Sequence, residues 1–354
     1  MDGPHANAGA AQARRVILPA RIGAPTAPAG MPVRVLRGET MGTTWCVRAV
    51  EGGAAVRLQE ALQAQLDMVV AQMSHWRADS ALSRFNAGPA GSWHSLPPAL
   101  FEVLAFANDV ARDSGGAYDP GAGALVNAWG FGPYGRFDQP DFRAPTPRQI
   151  ALLLARRGGR PIALEAATRR ACQPGGVLLD LSSVAKGYGV DLLAHYLEQL
   201  GVRHYLVEVG GELRGAGTKP DGQPWWVGLE PVTADSTADT HRGDTPAPMV
   251  VALHGLSVAT SGDYRRFFLR DGVRYSHTID PRRALPIDHQ LASVTVIHPQ
   301  CMAADAWSTA LTVLGPQAGL ALAESAGLAA RFLVRRGAGL VEVTSSHLTR
   351  MLAP

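Results

Sequence analysis

Lysine is nearly missing from this chain of 354 residues. Lys186 and Lys219 are the two present, against a combined Lys and Arg count of 33. A lysine is therefore not the default surface cation here, and each position that carries one calls for a reason. Excess charge is also missing: 33 basic residues face 30 acidic ones, a formal net charge of +3. No basic run is interleaved with aromatics, which argues against nucleic acid as a partner. The three cysteines, Cys46, Cys172 and Cys301, are far apart and form no CxxC pair. That excludes a disulfide framework and a zinc ribbon and leaves free thiols. No stretch approaches the roughly 20 apolar residues of a membrane-spanning helix. What remains is the composition of an ordinary globular protein, 46% hydrophobic and 18% charged, long enough for a substantial core.

The first thirty residues are rich in Ala, Gly and Pro. Arg14-Arg15 suggests a twin-arginine leader, but Val16-Ile17-Leu18 is broken by Pro19 and Arg21, so no apolar h-region forms. The expectation is a disordered or mis-assigned tail over 1–32, with Met31 as an alternative start. One domain then covers 33–354, with a flexible polar insertion near 231–248.

Periodicity supplies the elements. Alternation predicts strands within 33–50, and Leu58, Leu62, Leu66, Val69 and Met73 predict a helix over about 55–73. Ser80 reads as the cap of a short helix. Further helices are expected over 98–113, 147–158 and 303–314, and further strands over 204–209, 225–229, 249–253, 256–259 and 292–298. Thr260 to Tyr264 reads as a turn, and Asp271-Gly272 as a hairpin turn. Helices with short, partly antiparallel strands and no strict βαβ repeat give the class α+β.

One stretch organises the chain, Leu178 to Asp191. It begins as an apolar run, as a buried strand does, passes Ser182-Ser183, and enters a helix with Leu193, Tyr196, Leu197 and Leu200 on one face, closed by Gly201. Such a junction presents backbone N–H groups and a positive dipole end to an anion. Asp180, Ser182, Ser183 and Lys186 stand there, Lys186 either facing a ligand or pairing with Asp180 or Asp191. Ser183-x-x-Lys186 also matches the serine acyl-enzyme pattern, but the companion Ser-Asp-Asn and Lys-Thr-Gly motifs are absent. Asp305 and Thr309, four apart on a helix, share a face. Their hard oxygens suit Mg2+ rather than zinc, and equally suit a solvated polar face. His277 precedes an Asp-Pro turn and reads either as a general base or as a hydrogen-bonded core histidine. Trp76 and Tyr118 either stack on a planar ligand or fill the core.

Taken together and in order, these pieces resemble one family. They are Met41-Gly42-Thr43, Ser74-His75-Trp76 with Phe85-Asn86, Gly116 to Pro120 with Trp129 to Gly132, and Leu179 to Ser182 with Ala185 to Tyr188. Gly210-Gly211-Glu212, Thr260 to Tyr264, His277 to Pro281 and Ala304 to Thr309 follow. From about Val33 to Leu328 the chain resembles the ApbE family, the FAD:protein FMN transferases. The resemblance implies a fold related to the T-fold, with mixed sheets, flanking helices and a flavin cleft between them. It implies Mg2+-dependent transfer of the FMN half of FAD to a Thr or Ser of an acceptor flavoprotein, with release of AMP.

Carried over position by position, Asp305 and Thr309 match metal ligands, and Ser183 and Ser308 match neighbouring ligand positions. Met41, Trp76, Ala117, Tyr118, Asp119, Asp180, Lys186 and Thr278 match flavin-binding positions. His277 or a nearby carboxylate would take the proton of the target hydroxyl, so His277 and Asp305 are the expected catalytic pair. The absence of an export or lipid signal points to a cytoplasmic location, or a periplasmic one if a leader is missing. Three departures stand out. Arg283-Ala284 replaces a usual Thr-Gly pair, Gly121-Ala122 a usual Thr-Val run, and Ser183 stands where Gly, Thr or Ala is frequent. The first of these motivates a second reading, a non-catalytic FAD-binding scaffold. A third is a Mg2+-dependent FAD pyrophosphatase, in which water replaces the acceptor.

Overall fold

The computed structural model describes residues 14–23, 26–50, 57–157, 161–230, 246–263, 266–337 and 339–353. Its backbone is an eight-stranded sheet. In spatial order the strands are Gly339–Thr344, Ala329–Arg336, Leu291–His298, Leu256–Gly262, Glu212–Ala216, Tyr205–Val209, Thr43–Val50 and Val33–Thr40, every neighbouring pair antiparallel. Alternation decides what each face meets. Trp45, Val47, Ala49, Tyr205, Val207 and Val209 point to one side, against Leu62 and Leu66 of the helix Leu58–Met73 and Leu193 and Leu197 of the helix Ala185–Gln199. Val294, Val296, Ala330 and Phe332 continue that side beneath the helix Cys301–Ser325. Val50, Leu206, Val258, Ile297 and Ala329 point the other way. They are covered by a three-stranded sheet of Arg15–Ile17, Met249–Leu253 and Trp225–Gly228.

A second helical layer packs outside the first. Its helices Ala81–Asn86 and Pro98–Asp113 bury Leu82, Phe85, Leu100, Val103 and Leu104 against Leu179, Leu181 and Val184. Ser80 caps the shorter helix by accepting from the Ser83 N–H at 2.9 Å. A smaller aromatic lobe gathers Trp129, Phe131, Phe137, Phe268 and Tyr275 around a projecting hairpin, Phe267–Arg270 with Val273–Ser276.

Several expectations change. Arg15–Ile17 pairs in parallel with Met249–Val251, and Ile17 is fully buried, so the described part of the 1–32 segment is not a disordered tail. Residues 1–13 and 231–245, the heart of the expected insertion, lie outside the described residues. The strand expected to end at Ala259 runs on through Thr260, Ser261 and Gly262, because the neighbouring Leu291–His298 supplies partners over that whole length. The apolar run before the Asp180 junction is not a ladder strand. A single bridge joins Leu178 to Ala122, and the remaining backbone groups turn to Asn86 and to the Pro120 carbonyl. The short helix Gly123–Ala128 fills the Gly/Ala-rich segment. The long helix is two, broken at Gly315 (φ 78°) ahead of Pro316. Finally, the turn at Arg283-Ala284 is rebuilt rather than lost. Ala284 takes a left-handed φ of 55°, donates to the Asp280 carbonyl at 2.7 Å, and accepts at 2.9 Å from the Trp129 indole.

Candidate active site

At one end of the large sheet the turns of two hairpins, Met41-Gly42 and Gly210-Gly211, meet the close of the strand Leu256–Gly262 and the start of the helix Ala185–Gln199. A cleft of about 340 Å³ opens there, its far wall formed by Phe131, His277 and Thr278 of the aromatic lobe. That volume lies in the range of small-ligand sites.

The deepest corner is built where two helices nearly touch. A Cβ on Gly187 would lie 2.4 Å from the Cys301 carbonyl oxygen and 2.8 Å from the Asp305 Cβ, so only glycine permits the approach. Asp305 then accepts from the Gly187 N–H at 2.9 Å, taking a donor that the helix leaves free in its first turn. Asp191, one turn further along the same helix, accepts from Cys301 N at 3.0 Å and Met302 N at 2.9 Å while holding Arg214 at 2.7 Å. It caps the second helix from the first. These contacts fix Asp305 beside Lys186.

Lys186 donates to Glu212, the first residue after the Gly210-Gly211 turn. It pairs with neither Asp180 nor Asp191. Burial alone would lower its pKa, but Asp305 and Glu212 outweigh burial and hold it above the ordinary value, so it is a cation. Burial pushes Glu212 up to about 7, against the pull of Lys186, with Asp305 adding to the rise. Burial likewise raises Asp305, opposed by Lys186 and the Gly187 N–H. The serine acyl-enzyme reading fails on this geometry. The Ser183 hydroxyl donates to the Tyr118 phenol at 3.2 Å, and Lys186 is charged and committed elsewhere. Tyr118 is itself buried, which pushes its phenol far above its ordinary pKa.

Across the cleft His277 is held by its own backbone neighbourhood. The Arg266 carbonyl accepts from the His277 N–H at 3.1 Å and lies 3.0 Å from its Nδ1. A carbonyl only accepts, so Nδ1 carries the proton and Nε2 keeps its lone pair. Burial lowers the pKa of this imidazole, countered by the bond to Arg266. The ring is therefore neutral at pH 7.

A match to the family model for ApbE runs over residues 41–332. The chain belongs to the ApbE family. Relatives agree along nearly the whole length. The FAD:protein FMN transferase of Haemophilus influenzae is 39% identical over 325 residues, covering 89% of this chain and 90% of that protein. That of Salmonella typhimurium is 37% identical over 319 residues, covering 89% and 88%. The crystal structure of the Pseudomonas stutzeri flavinyl transferase ApbE superposes with a TM-score of 0.80 at 41% identity, over 91% of this chain and 97% of that one. The Vibrio cholerae flavin transferase ApbE gives 0.80 at 34% identity, over 90% and 99%. The ApbE fold, mixed α and β with antiparallel sheets, is thus the fold of this chain.

Most residues expected to serve an ApbE site are brought together. Trp76, Ala117, Tyr118, Asp119, Asp180, Ser183, Lys186, His277, Thr278, Asp305 and Thr309 all line the cleft. Two stand apart from its wall. Met41 occupies the first position of the Met41-Gly42 turn with a left-handed φ of 50° and packs its side chain toward the helices near Gly189. Ser308 is fully buried, and its hydroxyl bonds the Asp305 carbonyl and Ser261, both at 2.8 Å. It braces the helix while Ser261 also holds the Thr309 hydroxyl at 3.0 Å. Arg266, Ser261 and Glu212 line the cleft although the sequence assigned them no role. Glu212 did sit in a noted Gly-Gly-Glu run, where a carboxylate opening a buried strand was the available signal.

Among the described residues, no group of three or more His, Cys, Asp or Glu side chains is placed to hold a metal ion. A metal here would draw on hydroxyl and backbone oxygens together with a carboxylate. No described helix is long and apolar enough to cross a membrane.

Proposed function

We propose that this chain is an FAD:protein FMN transferase that splits the diphosphate of FAD, passes the FMN half to a Thr or Ser hydroxyl of an acceptor flavoprotein, and releases AMP. The observation that carries the reading is the corner where Asp305 meets Lys186 within one cleft that also holds a neutral histidine. Charge balance supports a divalent cation. The wall holds Asp119, Asp180, Glu212 and Asp305 against Lys186 and Arg266, and a diphosphate adds further negative charge. Asp305, Thr309 and the Ser183 segment offer hard oxygens of the kind Mg2+ takes, and they would hold it. When bound, the ion would offset charge on the phosphate oxygens.

The chain's own groups divide the remaining work. Trp76, half exposed at the mouth, offers a face for a planar ring, whereas the Tyr118 ring is 2% exposed and packs in the core. Lys186 presents a fixed positive charge to the diphosphate. His277 Nε2 accepts the proton of the acceptor hydroxyl as its oxygen bonds the FMN phosphorus and the bond to the AMP oxygen breaks.

The test is incubation with FAD and Mg2+, with and without an acceptor flavoprotein, followed by intact-mass measurement and AMP chromatography. Flavin-labelled acceptor with matching AMP is expected. Free FMN formed equally without acceptor makes the protein a pyrophosphatase instead, and no AMP under any condition ends the transferase reading. Asp305→Ala should slow labelling by about a hundredfold or more, and normal labelling by that variant removes the metal role given to Asp305.

A further inference from the structure

The hairpin Tyr205–Val209/Glu212–Ala216 does more than fill the sheet. Its turn presses on Lys186 from two directions. A Cβ on Gly210 would stand 3.3 Å from the Lys186 Cδ and 2.8 Å from the Thr43 Cγ2, so the turn lies directly on the lysine stem. Gly210 has a φ of 62°, which suits it to so tight a turn. Two residues on, Glu212 is 3% exposed and takes the lysine ammonium with Oε1. Its other oxygen, Oε2, is buried without a hydrogen-bond partner. A buried carboxylate with an orphan oxygen costs stability and is not retained for packing alone. A neutral residue would fill the same space at lower cost.

We propose that Glu212 is the positioning residue of this site: the Gly210-Gly211-Glu212 turn clamps Lys186 by stem and head and holds its ammonium at the diphosphate. The inference rests on the transferase reading above. Without Glu212, Asp305 remains as the carboxylate that attracts Lys186. The lysine would then pair there and withdraw from the substrate. The loss would fall on the transition state, where charge gathers on the departing phosphate, more than on FAD binding, which the ring contacts elsewhere in the cleft also support.

The experiment compares wild type, Glu212→Gln and Glu212→Asp in the full chain. It reads kcat and KM for FAD during acceptor labelling, the Kd for FAD from flavin fluorescence, and Tm. Glu212→Gln keeps shape and removes charge. It should keep Kd and KM within about threefold and lower kcat about tenfold or more, the loss of one charge-assisted contact. Glu212→Asp restores the charge and should recover part of kcat. Wild-type kcat in Glu212→Gln overturns the proposal. So does a loss shared equally by both variants and accompanied by a lower Tm, since that is the signature of a structural role. Failure of the wild type itself to label any acceptor counts against the transferase reading instead, and is told apart by that control.

Discussion

His277 shows how one residue's chemistry is set by a neighbour's backbone. Its Nδ1 is committed to the Arg266 carbonyl, so the group left to act is Nε2, and the ring must be neutral to act as a base. Burial lowers its pKa below the ordinary 6.5. Protonation, and with it the loss of the proposed base, is therefore half complete only at a pH below that value. The pH profile of kcat/KM should carry an acid limb from His277 below 6.5, beneath the value of about 7 to which burial pushes Glu212. His277→Gln should lack that acid limb and lose about a hundredfold or more in kcat. A limb unchanged in the variant assigns the titration to another group. At this scale the sequence was largely legible, because motif residues keep their identity wherever the chain carries them. Asp305, Lys186, Tyr118 and His277 were all named from it. Glu212 was not given a role, because its partner sits 26 positions earlier and only the register of the hairpin brings them together.

Among elements, the decisive contact is the crossing of the helices Ala185–Gln199 and Cys301–Ser325. Gly187 lets them approach, and Asp191 ties the start of the second to the body of the first. Removing that carboxylate strands two helix N–H groups and leaves the partly buried Arg214 guanidinium with the more distant Glu198 carboxylate, at 3.6 Å. Asp191→Ala should cost about 2–4 kcal/mol in urea unfolding, with Asp191→Asn, which keeps an acceptor, costing less. Equal stability of Asp191→Ala and wild type would show that the two helices do not depend on this bridge. The helix Pro98–Asp113 was readable from its end signals, Pro98 near the first turn and Gly115-Gly116 just past the last. Gly123–Ala128 was not, since glycine and alanine give no stripe. The strand Arg15–Ile17 was not either, because three residues hold as a strand only through a partner more than 230 positions away.

For the molecule as a whole, the cleft gathers Asp119, Asp180, Glu212 and Asp305 from distant parts of the chain, and the proposed function adds a cation to host an anionic ligand. Binding that favours the folded state raises its stability by mass action. Mg2+ together with FAD should therefore raise the Tm of the wild type, and Mg2+ should add nothing to the Tm of Asp305→Ala. A magnesium-dependent shift that survives in the variant places the ion elsewhere. The class α+β was legible because helices accompany short, partly antiparallel strands with no strict βαβ repeat, and a shared cleft was implied by the resemblance carried by motifs scattered over nearly 300 positions. The pairing order of the strands was not, since a sheet built from hairpins distant in sequence is specified by packing rather than by local pattern.

The covering of the sheet's other face has a practical consequence. Val16 and Leu18 exchange backbone hydrogen bonds with Ala353 and Met351, so the two described ends of the polypeptide leave the body side by side. They do so next to Val50, Leu206, Ile297 and Ala329, at the strand ends remote from Gly42, Gly210 and Gly262. A probe attached at Arg14 or Ala353 therefore starts from the back of the molecule, away from the mouth of the reaction chamber.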